Sequence, residues 1–431
     1  MRILYSLAWY LALPLVCLRL WWRGRREPGY REHWGERFGR FAHFQQNKLP
    51  GAARLIWLHA VSVGETRAAQ PLLVGLLQQY PGARILLTLM TPTGRATGKT
   101  LFADYGERIF QSYLPYDTLW LMRRFIRHFR PDLCILLETE VWPNLLAACA
   151  REHVPCALVN ARLSERSLKK GLRLGRLMRD AVQCIDLVMA QTRADAERIA
   201  TLGVRKVVVT GSIKFDVAVP QAQLTLGQAL RAAIGKRPVL LCASTREGEE
   251  ALLLPELSAM LQAEGGPLLL LVPRHPQRFD EVAKLVQQQG LRCQRRSTLD
   301  LDATARIAPS IQVLLGDSMG EMFAYYASCD VALIGGSLLP LGGQNLIEAC
   351  VLAKPVLFGP HMFNFAEISS GALQAGAALA LNDAADAAYQ MQRLLDDPEL
   401  AEQLGTAGRD FAMQHQGATR ATLVFLATLL P

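Results

Sequence analysis

The chain has 431 residues, of which 51% are hydrophobic and 20% are charged, and its formal net charge is +9. This length predicts two domains, and the composition excludes a disordered or collagen-like protein. The positive charge favours an anionic partner, namely nucleic acid, an acidic membrane or a phosphorylated substrate, unless it forms only a solvated basic face.

The N-terminal residues predict a membrane anchor. Ile3–Leu18 carry no charge, and a helix of this length, about 24 Å, is slightly shorter than the roughly 30 Å hydrocarbon core of a bilayer. Arg23, Arg25 and Arg26 follow, which predicts that the rest of the chain stays in the cytoplasm. The alternative, a cleaved signal peptide, lacks a small-x-small cleavage site and has its charge on the wrong flank. We therefore predict a retained anchor that spans the membrane or lies in its interface.

The segment Arg31–Phe44 alternates Arg with Trp and Phe, which predicts a basic amphipathic helix on the membrane surface. The next apolar runs are typical of strands buried on both faces, and they alternate with helical stretches such as Ala68–Gln79 and Phe279–Gln289. The alternation occurs twice, which predicts an α/β protein with two doubly wound, Rossmann-like domains facing a ligand-binding cleft.

The predicted strands fall into two series. They are Leu55–Val61, Arg84–Leu89, Ile109–Leu114, Leu133–Glu138, Cys156–Asn160, Leu187–Gln191 and Lys206–Thr210, followed by Val239–Ala243, Leu268–Val272, Ile311–Leu315, Val331–Ile334, Pro355–Phe358 and Ala377–Leu381. The predicted domains are residues 1–45 with the anchor and basic segment, 46–218, and 219–431, which includes the helical segment Pro398–Leu430.

Three common kinds of site are not predicted. Thr93–Thr100 resembles a P-loop, but the required glycine stands one residue late, at Gly94. A G-x-G-x-x-G motif is absent, which counts against a nicotinamide or flavin dehydrogenase. The nine cysteines include no CxxC pair and the eight histidines have no metal-ligand spacing, so we predict core thiols in a reducing compartment and no metal.

Two strand ends in the first half carry acidic residues. His59–Glu65 ends one strand and opens a helix, so the Glu65 carboxylate is predicted to lie at the mouth of the cleft. It suits a general base that deprotonates an acceptor hydroxyl, or else it only caps the helix and offsets its dipole. Glu138 and Glu140 end another strand and have the same two interpretations, catalysis or acceptor contact on the one hand and helix capping on the other.

The second half has several strand ends that suit a nucleotide. Arg274 follows a strand and can pair with phosphate, and Gly316–Glu321 opens a helix whose backbone N–H groups can hold an anion. Gly335–Ser337 and Leu341–Glu348 form a second glycine turn before a helix, on which Glu348 can accept both hydroxyls of a ribose. Each turn alone is an ordinary packing device. Together they predict a nucleotide site.

At these residues the sequence resembles the 3-deoxy-D-manno-octulosonic acid (Kdo) transferases of lipopolysaccharide biosynthesis, over essentially its whole length. Gln344 stands where members of this family often carry His. The motifs that carry the resemblance are Glu36–Gly39, His59–Glu65, Tyr113–Asp117, Glu138–Asn144, Asn160–Arg162, Gly211–Asp216, Ala243–Thr245, Pro273–His275, Gly342–Glu348 and Phe358–His361.

The resemblance implies a GT-B fold, CMP-Kdo as donor, and a lipid A precursor (lipid IVA) as acceptor at the inner face of the cytoplasmic membrane. It implies inverting transfer without a metal or other cofactor, and no nucleic acid partner. The first Rossmann-like domain is then the acceptor domain and the second is the CMP-sugar domain. Glu65 is the implied general base, and Glu138 and Lys214 are implied to stabilise the transition state. The residues implied to hold CMP are Pro273, Arg274, Met319, Gly320, Glu321, Asn345, Leu346, Ile347 and Glu348.

Two alternatives stay open at this point. One is a GT-B transferase that uses a UDP-sugar on another membrane lipid. The other is a non-catalytic, nucleotide-sugar-binding membrane protein, against which the presence of Glu65 argues.

Overall fold

The structure is a computed structural model that describes residues 1–25, 27–41, 54–301 and 305–430. It contains two compact units, Met1–Asp216 with Gln416–Pro431, and Val217–His415. Of the predicted N-terminal features, Arg26 and residues 42–44 lie outside the described residues.

The first unit is built on one seven-stranded parallel sheet. Its strands are β1 (Leu55–His59), β2 (Arg84–Leu89), β3 (Ile109–Tyr113), β4 (Leu133–Leu137), β5 (Cys156–Ala161), β6 (Leu187–Ala190) and β7 (Val207–Val209). Their order is β3-β2-β1-β4-β5-β6-β7, so the chain changes direction across the sheet between β1 and β4. All residues of β4 and β5 are buried, which explains why these strands read as continuous apolar runs.

The second unit contains another seven-stranded parallel sheet. Its strands are β8 (Val239–Thr245), β9 (Leu268–Pro273), β10 (Cys293–Arg295), β11 (Val313–Leu315), β12 (Val331–Ile334), β13 (Val356–Phe358) and β14 (Ala378–Ala380). The order β10-β11-β9-β8-β12-β13-β14 places the change of direction between β8 and β12. The prediction of two doubly wound sheets is confirmed. The edge strand β10 was not predicted, because its half-buried Cys-Gln-Arg sequence forms no apolar run.

Helices separate most of the strands. The α-helices of the described residues are α1 (Arg2–Arg23), α2 (Trp34–Arg37), α3 (Val63–Ala68), α4 (Gln70–Gln79), α5 (Pro92–Leu101), α6 (Leu119–Phe129), α7 (Pro143–Arg151), α8 (Glu165–Arg173), α9 (Arg176–Val182), α10 (Arg193–Ala200), α11 (Gln221–Ile234), α12 (Glu249–Gln262), α13 (Phe279–Gln288), α14 (Met322–Ser328), α15 (Ile347–Val351), α16 (Ala366–Gln374), α17 (Ala384–Asp396), α18 (Pro398–Gln414) and α19 (Ala418–Ala427). Short 3-10 turns cover Pro28–Arg31, Ala103–Arg108, Ile213–Phe215, Pro276–Arg278 and Arg296–Thr298.

The C-terminal segment differs from the predicted single helical stretch. It breaks at Gly417, whose φ of +99° favours glycine, and α19 then packs in the core of the first unit. There Ala418 and Leu426 lie in one hydrophobic cluster with Leu72 and Leu76 of α4. Residues 416–431 therefore belong with the first unit and not with the second domain, to which the sequence assigned them.

The first helix, α1, packs with one of its sides against the rest of the first unit. Among the described residues it is the one helix long and apolar enough to cross a membrane. The Tyr5 hydroxyl donates to the Asp117 carboxylate at 2.9 Å, and the Asn144 amide donates to the Ser6 hydroxyl at 3.0 Å. Its other side carries exposed apolar side chains, which include Ile3, Leu4, Leu7, Leu11, Leu15 and Leu18.

The predicted amphipathic helix over Arg31–Phe44 is wrong for the described part of that segment. The structure has a 3-10 turn and then only the single turn of α2, whose charged residues Glu36 and Arg37 are buried. Arg37 is 1% exposed, donates to the Met90 carbonyl at 3.1 Å and stacks on the Tyr113 ring. Glu36 pairs with both terminal nitrogens of Arg95.

The P-loop-like stretch Thr93–Thr100 lies inside α5, so its backbone cannot wrap a phosphate. Its two glycines allow close packing. A side chain at Gly98 would come within 2.7 Å of the Gln111 amide on β3. The expectation that this stretch holds no nucleotide phosphate agrees with the structure.

Candidate active site

Glu65 lies in the first turn of α3, directly after the loop that follows β1. Its carboxylate accepts hydrogen bonds from the Val61 backbone N–H at 2.8 Å and from the Ser62 hydroxyl at 2.9 Å. The Ser62 hydroxyl in turn accepts from the Glu65 backbone N–H, so the two residues form a capping box. Burial is the main cause that raises the pKa of Glu65, to about 7, and the two hydrogen bonds oppose it only in part. A carboxyl with this pKa can exchange a proton near neutral pH, as a general base must.

Glu138 follows β4 and is held between two cations. Its side chain accepts from Nζ of Lys214 at 2.6 Å and from Nε of Arg162 at 3.0 Å. The residue is 7% exposed, and its backbone has a φ of +55°, which is uncommon for a residue with a side chain. Such backbone conformations concentrate at functional sites. Two cations therefore share this one buried carboxylate.

Asn160 positions the turn that carries Lys214. It lies in β5 at a shift of register against β6, and its φ is also +55°. Its side-chain oxygen accepts from the Ile213 backbone N–H at 3.2 Å, and its backbone carbonyl accepts from the Gln191 amide at 2.8 Å. These contacts fix the 3-10 turn Ile213–Phe215, whose middle residue reaches Glu138.

Glu65 and Glu138 flank the point where the strand order of the first sheet changes direction, which is where open α/β sheets bind ligands. The negative charges of Glu138 and Glu140 both contribute to the raised pKa of Glu65. Glu140 accepts from the indole N–H of Trp142 at 2.7 Å, and the ring of Trp142 meets the buried His59 ring edge to face. Burial lowers the pKa of His59 to about 4, so its ring is neutral and serves packing.

In the second unit, the residues implied to hold CMP follow three strands of one parallel sheet. Pro273 ends β9 and Arg274 follows it, Met319–Glu321 follow β11, and Asn345–Glu348 follow β12. Parallel strands place their carboxyl ends at one edge, so the structure brings these segments to the same edge of the sheet. Pro273, Leu346 and Ile347 are buried, and the Ile347 backbone N–H donates to the Asn345 side chain.

The polar members of this set already make contacts within the unit. Glu321 accepts from the Arg296 guanidinium at 3.1 Å and from the Ser318 hydroxyl at 2.6 Å. Asn345 accepts from the Ile347 backbone N–H at 3.1 Å and donates to Glu348 at 3.3 Å. The carboxylates of Glu321 and Glu348 are therefore oriented before any ligand arrives.

The glycine turn Gly335–Ser337 is occupied by a side chain of the protein. The Glu249 carboxylate, 1% exposed, fills the Gly335–Ser337 turn and accepts from the backbone N–H groups of Gly336, Ser337 and Leu338 at 2.6, 2.9 and 3.0 Å. It also accepts from the Arg246 backbone N–H at 2.9 Å, across the point where β8 and β12 are neighbours. The sequence counted this turn among the strand ends that suit a nucleotide, but its backbone N–H groups are already bonded to Glu249.

The next residue, Glu250, forms a buried ion pair that sequence reasoning missed. It accepts from two nitrogens of Arg278 at 2.8 and 2.9 Å and from the Thr245 hydroxyl at 2.7 Å. Two adjacent glutamates at a helix start read as exposed helix-capping residues, and nothing in their spacing reveals that both are buried. Arg162 and Asn160 were also given no role, although both stand in the motifs quoted above.

The described residues contain no group of three or more His, Cys, Asp or Glu side chains that would hold a metal ion. The arrangement offers several groups for chemistry at these strand ends. It comprises a carboxyl that titrates near neutral pH in the first unit, an adjacent cation pair, and an edge of the second sheet that carries arginine and ribose-suited carboxylates.

Two parallel Rossmann-like sheets with acidic and basic residues at their carboxyl edges define a GT-B type glycosyltransferase fold. A glycosyltransferase from Rickettsia africae shares this fold, with a TM-score of 0.57 at 14% identity over 88% of this chain and 99% of that one. The family model for 3-deoxy-D-manno-octulosonic-acid transferase (kdotransferase) matches residues 32–217. The chain belongs to the Kdo transferases, the enzymes that add Kdo in lipopolysaccharide core synthesis.

Two curated relatives establish this membership along the whole chain. The 3-deoxy-D-manno-octulosonic acid transferase of Bordetella pertussis is 47% identical over 98% of both chains. The protein of the same name from Haemophilus influenzae is 36% identical over 100% of this chain and 99% of its own. The predicted family, fold class and enzymatic character are therefore confirmed.

Proposed function

We propose that the enzyme transfers Kdo from CMP-Kdo to a lipid A precursor, lipid IVA, at the cytoplasmic face of the inner membrane. The observation that carries the proposal is Glu65, held rigidly by its capping box beside Glu138 and Lys214 with a pKa of about 7. The family name supports Kdo as the transferred sugar.

In the proposed reaction, Glu65 removes the proton from an acceptor hydroxyl. The oxygen forms a bond to the anomeric carbon of Kdo, and the bond from that carbon to the CMP phosphate oxygen breaks. CMP leaves with the electron pair, so a single displacement inverts the anomeric centre. Lys214, fixed by Glu138, is suited to stabilise the negative charge of the transition state.

The proposed CMP site comprises Pro273, Arg274, Asn345, Leu346, Ile347 and Glu348. The Arg274 guanidinium suits the phosphate of CMP, and the oriented carboxylate of Glu348 suits the ribose hydroxyls. Met319, Gly320 and Glu321 complete the proposed site at the next strand end.

We assign the membrane attachment to α1. Its exposed apolar side supports insertion into a bilayer, and the Arg residues after it support a cytoplasmic location for both units. The Tyr5–Asp117 and Ser6–Asn144 contacts favour a helix that lies along the membrane surface, because they hold its first two turns against the catalytic unit.

The direct test is to incubate the purified protein with CMP-Kdo and tetra-acylated lipid A precursor and to weigh the product by mass spectrometry. The expected product is heavier than the acceptor by one or more Kdo residues. A matched reaction with UDP-sugars and a binding comparison of CMP with UDP serve as controls. Preference for UDP and no Kdo transfer would favour the transferase that uses a UDP-sugar.

The pH dependence of transfer tests the role of Glu65. Because a base must be unprotonated, kcat/KM should rise with pH through about 7 and then level off, with roughly a tenfold loss per pH unit well below that value. The Ser62 hydrogen bond lowers the pKa of Glu65, so Ser62→Ala should move the rising limb to higher pH. A profile with no rise near neutral pH, or one unmoved by Ser62→Ala, would contradict the assignment.

Arg274→Ala tests the proposed phosphate contact. The loss of a charge-assisted hydrogen bond should weaken CMP binding by roughly ten- to a hundredfold, measured by titration calorimetry. Arg292→Ala is the matched control. Arg292 is exposed and directly precedes β10, so it lies at the amino end of its strand, whereas Arg274 follows the carboxyl end of β9. Equal dissociation constants for the two variants would remove Arg274 from the site.

A further inference from the structure

A groove of about 1120 Å³ lies beside α1 in the first unit. Its walls are the first turns of α1, residues 39–41, and the face of α6 from Leu119 to His128. Glu65, Glu138 and Lys214 do not line it. α6 begins after the carboxyl end of β3, and Arg127 lies about 12 Å further along the helix, so the basic part of the groove is away from the catalytic edge.

The groove is strongly cationic. Its lining includes no Asp or Glu, and one nearby carboxylate, Glu152, is shared by two of its arginines at 3.3 and 3.0 Å. Arg2 and Arg40 are exposed and have no carboxylate partner among the described residues. Five guanidinium groups and one carboxylate therefore leave an excess of four positive charges. The five are Arg2, Arg40, Arg123, Arg124 and Arg127.

The same groove has apolar walls that open onto the outer side of α1. Ile3 and Trp120 line it and are 84% and 58% exposed. From Ile3 the exposed stripe continues through Leu7 and Leu11. The Tyr5–Asp117 hydrogen bond keeps this end of α1 against the body, so cationic and apolar surfaces stay side by side. A ligand that matches both is an anion with hydrocarbon chains.

We propose that this groove binds the phosphate headgroup of an anionic phospholipid of the bilayer, with the acyl chains along the exposed side of α1. Charge complementarity and the adjoining apolar stripe favour such a lipid over a free phosphate, because a free phosphate has no hydrocarbon part that could contact Ile3 and Trp120. None of Glu65, Glu138 and Lys214 lines the groove, which favours a bilayer lipid over the acceptor. The inference rests on the proposed membrane attachment of α1, and it adds a defined lipid site that selects an anionic leaflet.

The test compares Arg2→Gln/Arg40→Gln with Arg193→Gln/Arg420→Gln, a control that removes two exposed arginines of the same unit outside the groove. Sedimentation with vesicles of phosphatidylcholine, and of equimolar phosphatidylcholine and phosphatidylglycerol, gives the preference for the anionic lipid. The groove variant should lose roughly tenfold of that preference, and the control should keep it. Equal losses in both variants would overturn the site, because they indicate diffuse attraction.

A second measurement identifies the occupant. Native mass spectrometry of the full chain in detergent with added phosphatidylglycerol should show one retained lipid for the wild type and the control, and none for Arg2→Gln/Arg40→Gln. Displacement of that lipid by stoichiometric lipid A precursor would overturn the proposal and assign the groove to the acceptor.

The membrane attachment is tested separately. Leu7→Asp/Leu11→Asp should abolish binding to both kinds of vesicle if α1 is the anchor. Unchanged sedimentation of that variant would reject the attachment, whereas an unchanged anionic preference in the groove variant would reject only the lipid site.

Discussion

Replacement of Glu65 by Gln is expected to lower kcat for Kdo transfer by roughly a thousandfold, the contribution typical of a general base. The amide can still accept from the Val61 backbone N–H and donate to the Ser62 hydroxyl, so the capping box and the fold should survive. The variant loses only the ability to take a proton. The measurement is transfer under single-turnover conditions with CMP-Kdo and lipid A precursor, together with CMP affinity, which should not change.

Two glutamates serve as comparisons for this variant. Glu165→Gln changes another glutamate in the first turn of a helix, one whose side chain is exposed, and should retain full activity. Glu140→Gln changes the other carboxyl whose pKa burial raises in the same region. A thousandfold loss in Glu140→Gln with near-normal transfer in Glu65→Gln would move the base role to Glu140.

The sequence left two interpretations of Glu65, a base or a helix cap, and the structure shows why the choice was difficult. The cap is present, and the same two hydrogen bonds hold the carboxylate in one orientation. Burial and the neighbouring charges of Glu138 and Glu140 raise its pKa despite those bonds. Capping therefore does not compete with the proposed chemistry, because it supplies the rigidity that a positioned base needs.

The strands were predictable because the sheets bury both faces, and strands such as β4 are apolar throughout. β10 was not, since an edge strand of half-buried polar residues has no such signal. The return of α19 to the first unit also escaped prediction. Its Ala- and Leu-rich sequence shows that one face is buried but does not identify the surface that it packs on.

Residues of the candidate site could be predicted from the sequence only where they directly follow the end of a predicted strand. Lys214 was implied by family resemblance, and its reach to Glu138 depends on Asn160, whose left-handed backbone and bulged strand have no periodic signature. Gly335–Ser337 was predicted as a glycine turn of the nucleotide site, and in the structure its backbone N–H groups surround an anion. The anion, however, is the side chain of Glu249, contributed by a helix almost ninety residues earlier in the chain.

Glu249→Ala is expected to have the largest effect on stability, about 4 kcal/mol or more in the free energy of unfolding of the second unit. The substitution leaves the buried backbone N–H groups of Gly336, Ser337 and Leu338 without an acceptor. The part-buried N–H of Arg246 loses its acceptor as well. The substitution also removes the side chain that holds the Gly335–Ser337 turn in place after β12. Because the proposed CMP residues Asn345–Glu348 follow this turn, CMP binding should fall together with stability. Chemical denaturation followed by circular dichroism measures the first effect, and calorimetry with CMP measures the second.

Glu247→Ala is the matched control, because its side chain is 58% exposed and pairs with the Arg246 guanidinium. Exposed ion pairs contribute little, so this variant should lose less than about 1 kcal/mol. A comparable loss in both variants would show that the buried carboxylate is not what holds the turn. The two effects can be separated if Glu249→Ala alone loses several kcal/mol of unfolding free energy. Normal CMP affinity of that variant, measured well below its unfolding temperature, would then limit Glu249 to a structural role. Loss of affinity in the fully folded variant instead assigns it the positioning of the CMP site.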